Sequence, residues 1–326
     1  MNSSNNKLIK LEKIFPKIKK DILLGRYTTF GLGGKADYFL EVDSVAELKE
    51  ALSYFFKNKV SFFILGGGSN LLISDNGYRG VIIKMKGKEL ELRKEKTIIV
   101  EAGVSLAKLV YFAMSYGLSG FEWAAGIPGT VGGAIRGNAG AFGKSMADNI
   151  KLVEVVNAKS GKINKFRNEE CKFNYRESIF KKNSHLVVIR AEIALDKKDK
   201  SEIEKQSNEY FNYRKERQPQ GYSAGSVFKN YKIKNKKERE ALIEKNPEIE
   251  KVIKDNVIPA AFLIDKCGLK GKKVGRVMIS LIHANFIINL GRGKSEDVTK
   301  LIYLIKKEVS DKFGIIIEEE IQYLGF

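Results

Sequence analysis

The sequence predicts an α/β protein with a larger, glycine-rich portion up to about residue 205 and a smaller portion after it. Short runs of β-branched and other apolar residues, each ended by glycine or polar residues, are typical of strands. Segments with helical spacing lie between these runs. Glycine is concentrated in one region, because residues 65–143 contain 16 of the 30 glycines. At about 150 residues per domain, 326 residues predict roughly two domains.

The spacing of apolar residues in the N-terminal segment predicts an amphipathic helix that packs against the rest of the protein. Pro16 lies inside this segment and would kink or interrupt the helix. Acidic residues interrupt the basic face, which distinguishes the segment from a targeting presequence. The apolar residues are spaced by three or four positions, as on one helix face, and are Leu8, Leu11, Phe15, Ile18 and Ile22.

Further strands and helices follow along the chain. Strands are predicted from β-branched and apolar composition at residues 61–65, 81–85, 97–100, 152–157, 186–193, 286–289 and 315–321. Helices are predicted at residues 105–116, 197–217, 232–254 and 295–313. Ser105 is a candidate N-cap of the first of these helices, and Gly117 follows its end. The charge-rich helix at 197–217 is a candidate domain boundary.

The composition excludes several classes of protein. No run approaches the roughly 18 consecutive apolar residues of a membrane-spanning helix. Cys171 and Cys267 are too few for a disulfide scaffold, and His185 and His283 leave little material for a zinc site. We therefore expect a cytoplasmic protein that binds no metal and no membrane.

A formal net charge of +19 is typical of nucleic-acid-binding proteins. The kind of basic residue argues against that interpretation, because the chain has 46 lysines and only 12 arginines. Arginine is the residue that binds phosphate with two parallel hydrogen bonds. We interpret the excess as a solvated, lysine-rich surface that still attracts acidic small molecules, and we expect no nucleic-acid partner.

Two segments match nucleotide-binding motifs but lack the required context. Residues 31–36 fit the Rossmann glycine pattern, yet a strand-like run follows where a helix is required. Residues 291–295 resemble the end of a P-loop, but the first glycine of that motif is replaced by Ile288. A turn whose Ser295 caps the following helix is the preferred interpretation.

The first glycine loop, residues 65–72, follows a predicted buried strand. Its glycines allow a tight turn with several N–H groups pointing at one anion. No lysine follows in the Walker position, so a pyrophosphate without a metal fits better than a nucleoside triphosphate. An ordinary glycine-rich turn is the alternative.

The second glycine loop spans residues 126–134 and continues at 138–143. Its small, apolar residues allow backbone to lie flat against a large planar ligand such as an isoalloxazine ring, while N–H and C=O groups face the ligand edge. A tightly packed helix pair is the alternative interpretation.

Both loops belong to an ordered series of motifs. The series comprises residues 27–34, 65–72, 126–143, 175–180, 218–219, 223–230, 263–286 and 314–325. In this order, from about residue 25 to 325, the motifs resemble the UDP-N-acetylenolpyruvoylglucosamine reductase family of flavoproteins. The short segment between Phe180 and Gln218 is similar to the family's second type, which lacks an inserted tyrosine loop.

The resemblance implies a vanillyl-alcohol-oxidase-like FAD-binding fold of two subdomains, at residues 1–80 and 81–205, and a smaller α/β substrate-binding domain at 206–326. It implies an NADPH-dependent enzyme of peptidoglycan precursor synthesis, active as a monomer on a UDP-sugar. That enzyme reduces UDP-N-acetylglucosamine-enolpyruvate to UDP-N-acetylmuramate. Another FAD-dependent oxidase or dehydrogenase of the same fold is one alternative, and a basic nucleic-acid-binding protein is a second.

The resemblance also implies how FAD is held. Some relatives in the wider superfamily attach FAD covalently through His or Cys near the glycine loop, and neither residue lies near 66–70, so non-covalent FAD is expected. The implied cofactor-binding residues are Gly66, Gly67, Gly68, Ser69, Asn70, Leu71, Gly126, Ile127, Pro128, Thr130, Gly132, Gly133, Asn138, Ala139 and Gly140.

Three catalytic residues are implied by the resemblance. Ser226 matches the proton donor, Arg176 matches the arginine that grips the substrate carboxylate as charge builds on it, and Glu320 matches the catalytic glutamate, acting protonated. Neighbouring Glu318 and Glu319 offer alternative registers for this last match. Tyr175 and Asn230 are implied substrate contacts.

Overall fold

The computed structural model describes residues 11–326, and contacts divide the chain into two compact units. Unit 1 consists of the N-terminal residues up to Ile22, Ala36–Gly67 and Arg79–Arg214. Unit 2 consists of Leu23–Lys35, Gly68–Tyr78 and Lys215–Phe326. The three-part division at residues 80 and 205 stays a prediction, and the segment Arg79–Arg214 of unit 1 runs across both positions.

Nine α-helices lie within residues 11–326. They are α1 (Leu11–Ile14), α2 (Val45–Lys57), α3 (Leu106–Ser115), α4 (Val131–Gly137), α5 (Ile179–Lys182), α6 (Lys200–Arg217), α7 (Lys236–Lys245), α8 (Ala260–Lys266) and α9 (Ser295–Phe313). Short 3-10 helices lie at Leu24–Tyr27, Glu122–Ala124, Met146–Asp148, Asn168–Cys171 and Pro247–Val252.

The strands of the same residues are short. They are β1 (Lys19–Leu23), β2 (Lys35–Val42), β3 (Phe62–Ile64), β4 (Leu71–Ile73), β5 (Tyr78–Met85), β6 (Leu90–Arg93), β7 (Thr97–Glu101), β8 (Leu118–Ser119), β9 (Gly140–Ala141), β10 (Lys144–Ser145), β11 (Ile150–Asn157), β12 (Ile163–Arg167), β13 (Leu186–Ala194), β14 (Asp196–Lys197), β15 (Tyr231–Lys232), β16 (Val257–Ile258), β17 (Lys273–Val274), β18 (Val277–Ile279), β19 (Ile287–Asn289) and β20 (Gln322–Leu324).

Unit 1 contains a four-stranded sheet in the order β1-β2-β5-β3. Strands β3 and β5 are parallel, with Phe62 opposite Val81. Helix α2 lies between β2 and β3 in the chain and begins after Ser44, whose hydroxyl accepts a hydrogen bond from the Glu47 N–H. Its Phe55 is fully buried in the unit 1 core. The first glycine loop starts where β3 ends.

A second, antiparallel sheet of unit 1 has the order β12-β11-β13-β7-β6. Its core includes Ile98 and Val100 of β7 together with Leu109 of α3. Trp123 is the largest fully buried side chain, and its ring N–H donates to the Gly120 carbonyl at 3.0 Å. The second glycine loop begins just after this tryptophan.

Unit 2 has its own core around α9. The antiparallel sheet β17-β18-β19 and the helices α8 and α9 contribute buried residues such as Ile279, Leu263 and Ile305. Strand β4 pairs in parallel with β20, which places Leu72 opposite Tyr323. Within the described part of the chain, every helix is too short or too polar to span a lipid bilayer.

The N-terminus of α9 is capped by a distant segment of unit 2. Asp75 Oδ2 accepts hydrogen bonds from the Ser295 N–H at 2.7 Å and from its hydroxyl at 2.9 Å. The sequence-based assignment of Ser295 as N-cap is wrong, because Ser295 is the first helical residue. A carboxylate at this end also interacts favourably with the helix dipole.

Most predicted elements are confirmed, with boundaries that differ by at most three residues. The N-terminal helix is an exception, because α1 ends at Ile14 and β1 begins at Lys19. Pro16 follows α1 and prevents its continuation. Ile22 therefore lies in β1, and Leu8 lies outside the described residues.

Two C-terminal predictions also differ from the structure. The predicted helix at 232–254 is α7 followed by a 3-10 turn that begins at Pro247, because proline disrupts a continuing α-helix. The strand predicted at 315–321 is found later, as β20. Residues 315–318 alternate between buried and exposed, as in a strand. Their C-terminal end pairs with the segment at Phe228 through an isolated bridge to Glu319 rather than as part of a strand.

We predict that Asp75→Ala lowers the free energy of unfolding by about 1–2 kcal/mol, the cost of losing a helix cap. Asp311→Ala removes an exposed ion pair with Lys307 from the same helix and should cost less than about 0.5 kcal/mol. Urea unfolding of the three proteins measures both values. Equal destabilisation by the two substitutions would contradict the capping role.

Candidate active site

In unit 1, the first glycine loop lies directly against the second. A Cβ atom on Gly67 would lie 2.6 Å from the Gly129 Cα, and one on Gly66 would lie 2.8 Å from the Thr130 Oγ1. At Gly67 the obstruction is backbone, so a side chain there would require the backbone to move. At Gly66 the obstruction is the Thr130 side chain. The structure thus brings together two loops that were predicted separately to hold parts of one cofactor.

Lys84 of β5 is a residue of this region that sequence patterns do not single out among the other lysines. Its Nζ donates to the Gly66 carbonyl at 3.1 Å. Burial lowers the pKa of Lys84, and the charge of Glu41 opposes that shift. A neighbouring strand therefore brings a positive charge to a loop that has no lysine in the Walker position.

The second glycine loop leads into helix α4. Thr130 is the N-cap, and its hydroxyl accepts a hydrogen bond from the Gly133 N–H at 3.4 Å. Gly126, Pro128 and Gly133 are exposed, whereas Gly132 packs against Ala102. The loop therefore presents backbone with almost no side chains along one edge.

Helix α6 supports both parts of the second loop. The buried Arg214 donates to the carbonyls of Trp123 at 2.6 Å and Ala125 at 2.7 Å, immediately before the loop begins. Tyr210 stacks on Phe142 with ring centroids 4.2 Å apart. Arg214 was not predicted from the sequence. The one feature that distinguishes it there is its residue type, because arginine is rare in a chain so rich in lysine.

Asn138 holds two chain segments of unit 1 with its side chain. It has a left-handed backbone, with φ of 42°, at the C-terminus of α4. Its Nδ2 donates to the Asn174 carbonyl at 2.9 Å, and its Oδ1 accepts from the Ala147 N–H at 3.0 Å. Since both amide groups bind protein backbone, Asn138 would serve a cofactor through the position of its neighbours.

Arg176 lies in a tight turn whose ends are joined by two hydrogen bonds of 3.0 Å between Asn174 and Glu177. Its backbone is left-handed, with φ of 54°. The guanidinium donates to the Gly140 carbonyl at 2.9 Å and lies over the ring of Tyr175, with 5.1 Å between the guanidinium carbon and the ring centroid. The two predicted substrate-contacting residues of unit 1 are therefore in contact, and Tyr175 is 48% exposed.

In unit 2, Ser226 begins an extended segment with backbone partners on both sides. On one side, the Glu320 N–H donates to the Val227 carbonyl at 2.7 Å, and the Lys229 N–H donates to the Glu318 carbonyl at 2.9 Å. On the other side, Ser226 forms a β-bridge with Phe286. The structure therefore brings the predicted residues Ser226 and Glu320 onto adjacent segments.

Asn70 of the first glycine loop ties directly to the same region. Its Nδ2 donates to the Glu320 carbonyl at 3.0 Å, and its carbonyl accepts from the Gln322 N–H at 3.0 Å. A residue predicted to bind cofactor is thus bonded to a residue predicted to be catalytic.

The three consecutive glutamates differ in their partners. Glu318 pairs with Lys229 at 3.2 Å, and Glu319 pairs with Lys306 of α9 at 3.0 Å. Glu320 is the glutamate whose N–H and C=O bind the Ser226 segment and Asn70. The register in which Glu320 matches the family's glutamate stays a prediction.

Asn230 has a structural contact in addition to its predicted role. Its Oδ1 accepts from the Ala260 N–H at 3.1 Å and so caps α8, whose N-cap residue Pro259 has no capping side chain. The other predicted cofactor residues have the following positions: Gly68 (buried, with φ of 63°), Ser69 (half-buried), Leu71 (buried in β4), and Ile127, Ala139 and Gly140 (half-buried).

The residues present fit FAD on two observations. Within the described chain, Thr29 Oγ1 is buried without a hydrogen-bond partner, and the Thr29 N–H donates to the Gly68 carbonyl at 3.2 Å. A buried hydroxyl without a partner is costly to the folded state, and a hydrogen bond to an oxygen of a bound ligand would remove that cost. In unit 1, a Cβ atom on Gly143 of the second glycine loop would meet nothing within 4 Å, so there is free space beside this loop.

Comparison with known families identifies both parts of the chain. Residues 36–167 match a family model described as an FAD binding domain. Residues 217–324 match the model of the UDP-N-acetylenolpyruvoylglucosamine reductase C-terminal domain.

Curated relatives match over nearly the whole chain. The UDP-N-acetylenolpyruvoylglucosamine reductase of Carboxydothermus hydrogenoformans is 39% identical over 96% of this chain and 97% of its own. The one from Solibacter usitatus is 35% identical over 93% and 95%. Among solved structures, UDP-N-acetylenolpyruvylglucosamine reductase from Thermus caldophilus superposes with a TM-score of 0.75 at 34% identity, covering 94% of this chain and 99% of that one.

We predict that Gly67→Ala weakens FAD retention at least about 10-fold, because relieving overpacked backbone typically costs 1–3 kcal/mol. Gly137→Ala, where the added methyl group meets open space, should retain FAD as the wild type does. The ratio of flavin to protein absorbance and fluorescence titration of apoprotein with FAD measure the effect. Equal retention by both variants would show that the contact at Gly129 is unimportant for the cofactor.

Proposed function

The chain belongs to the UDP-N-acetylenolpyruvoylglucosamine reductase family, and on that premise we propose that Ser226, Arg176 and Glu320 carry its reaction. It is an FAD-containing oxidoreductase of peptidoglycan precursor synthesis that converts UDP-N-acetylglucosamine-enolpyruvate into UDP-N-acetylmuramate, with NADPH as hydride donor. The observation that supports the residue assignment best is the pairing of the Ser226 segment with Glu320 in unit 2.

The reaction reduces a vinyl ether that is conjugated to a carboxylate. FAD held by the two glycine loops would supply the redox chemistry, by which a hydride from NADPH reaches the terminal vinyl carbon. Negative charge then develops on the adjacent carbon and spreads into the carboxylate. The protein must therefore supply a proton at that carbon and stabilise charge at the carboxylate.

Ser226 is the proposed proton donor to the adjacent carbon. It follows Gly225, whose left-handed φ of 75° turns the chain, and it precedes backbone that is bonded on both sides. Its hydroxyl is a weak acid, so transfer requires a fixed position and stabilisation of the alkoxide that remains. The paired segment supplies the fixed position.

Arg176 of unit 1 is proposed to hold the substrate carboxylate. A guanidinium remains charged at all relevant pH values and can donate two parallel hydrogen bonds to a carboxylate. The turn at Asn174–Glu177, the bond to the Gly140 carbonyl and the Tyr175 ring orient it before substrate arrives. Such prior orientation lowers the cost of binding.

Glu320 is proposed to stabilise the developing charge in its protonated form. A protonated carboxyl group can donate a hydrogen bond to negative charge that develops on the substrate. Glu320 is the glutamate whose backbone binds the residue after Ser226 through its N–H and Asn70 through its carbonyl. We therefore assign this role to Glu320 rather than to Glu318 or Glu319.

We propose further that FAD is held without a covalent bond, through the cofactor residues named above, and that Tyr175 and Asn230 contact the UDP-sugar. NADPH and UDP-sugars are cytoplasmic metabolites, so we assign the enzyme to the cytoplasm. We also propose that it acts as a monomer, without a nucleic-acid or membrane partner. Gel filtration at micromolar concentration tests the monomer directly, and elution at the size of two chains would contradict it.

We predict that Ser226→Ala leaves reduction of FAD by NADPH nearly unchanged, because that step protonates no substrate carbon. Reoxidation by the enolpyruvyl substrate should slow at least ~10²-fold, as expected for loss of a general acid. Anaerobic rapid-mixing absorbance separates the two steps, and Ser223→Ala in the same loop is the control. Wild-type reoxidation by Ser226→Ala would contradict the assignment.

Glu320→Gln tests the register of the glutamates. We predict slower reoxidation by substrate, by at least about 10-fold, because an amide N–H is a weaker hydrogen-bond donor to developing negative charge than a carboxyl O–H. Glu319→Gln should stay within about threefold of wild type, since it breaks only a partly exposed ion pair with Lys306. If Glu319→Gln were the slow variant, the register would be shifted by one residue.

A further inference from the structure

Asn285 binds the backbone just after Ser226 with both groups of its side-chain amide. Its Oδ1 accepts from the Phe228 N–H at 2.9 Å, and its Nδ2 donates to the Phe228 carbonyl at 2.8 Å. Its own carbonyl accepts from the Val227 N–H at 2.8 Å. Asn285 is 4% exposed, so water does not compete for these bonds.

This arrangement replaces part of a β-ladder. Ser226 pairs with Phe286 by backbone, and the next pairing is made by the Asn285 carbonyl. At Phe228 the side-chain amide of Asn285 takes the place of a strand residue, because it offers one donor and one acceptor as a peptide group does. Beyond this point the segment is held by residues 318–320 on its other side.

The bonds of Asn285 matter for Ser226 because of what lies just before it. The chain is anchored at Ser223, whose N–H donates to the Thr29 carbonyl at 3.0 Å. Between this anchor and Ser226 lies Gly225, which has a left-handed backbone and where a Cβ atom would meet nothing within 4 Å. The position of Ser226 therefore depends also on the residues that follow it. Asn285 makes three of the hydrogen bonds that fix those residues.

We propose that Asn285 is a positioning residue for the proton donor: its amide fixes Phe228 and thereby holds Ser226 at the substrate carbon. The proposal rests on the assignment of Ser226 under the proposed function. It requires that Asn285 act on the rate only through Ser226, and on the step that protonates substrate rather than on reduction of FAD.

Asn289 provides a matched control in the same unit. It is 5% exposed, donates to the Phe30 carbonyl at 3.0 Å and accepts from the N–H groups of Gly291 and Gly293 at 3.0 Å. Its amide thus joins chain segments as that of Asn285 does, but its side chain does not bind the Ser226 segment. If Asn285 had only a structural role, substituting Asn285 or Asn289 by alanine would change the rate of reoxidation by substrate to the same extent.

The test compares Asn285→Ala, Asn289→Ala, Ser226→Ala and the double variant Ser226→Ala/Asn285→Ala by anaerobic rapid mixing. Asn285→Ala should slow reoxidation by substrate at least ~10-fold, as expected for a misplaced catalytic group, and leave reduction by NADPH within about twofold. Asn289→Ala should stay within about twofold in both steps. The double variant should be no slower than Ser226→Ala, because residues that act through each other are not additive.

Three outcomes are distinguishable. Wild-type reoxidation by Asn285→Ala, or a double variant whose losses multiply, would overturn the positioning role while Ser226 remains the donor. Wild-type reoxidation by Ser226→Ala would instead overturn the proposed function on which the inference rests. If Asn285→Ala does not fold, Asn285→Asp keeps the acceptor for the Phe228 N–H, and the same comparison applies to it.

Discussion

The hydrogen bond from the Glu320 N–H to the Val227 carbonyl joins Glu320 to the residue after Ser226, and so holds together the segments that carry the two proposed catalytic residues of unit 2. It aligns a segment near the C-terminus with the segment that begins at Ser226, and it sets the register of three consecutive glutamates. Asn70 extends the same arrangement to the first glycine loop by binding the Glu320 carbonyl. A single strip of paired backbone therefore connects a cofactor motif with the proposed proton chemistry.

Unit 1 depends on a different constraint, the close approach of two glycine loops. The backbones at Gly67 and Gly129 are so near that glycine is required at the first position. Arg214 and Asn138 then hold the ends of the second loop by binding backbone carbonyls. Polar side chains bonded to backbone therefore shape the loops, and the glycines leave room between them.

The sequence predicts local features well and contacts between distant residues poorly. Helix α9 is recovered in full because its apolar spacing is regular over many turns, and the glycine loops stand out by composition. The Asp75 cap and the Lys84 contact join residues that are far apart in the chain, and a single sequence contains no signal for such pairs. The roles of Ser226, Arg176 and Glu320 came from the family resemblance, because each residue alone is unremarkable. In the N-terminal segment, the predicted interruption at Pro16 is confirmed, but helical spacing alone did not indicate that the chain continues as strand β1 after the proline.

The central claim is that this chain reduces an enolpyruvyl UDP-sugar through bound FAD. Anaerobic absorbance spectroscopy of the purified protein tests it most directly. The account predicts flavin absorbance that NADPH bleaches and that UDP-N-acetylglucosamine-enolpyruvate restores, with a product two hydrogen masses heavier than the substrate. A protein without flavin, or a reduced flavin that oxygen reoxidises but this substrate does not, would contradict the account.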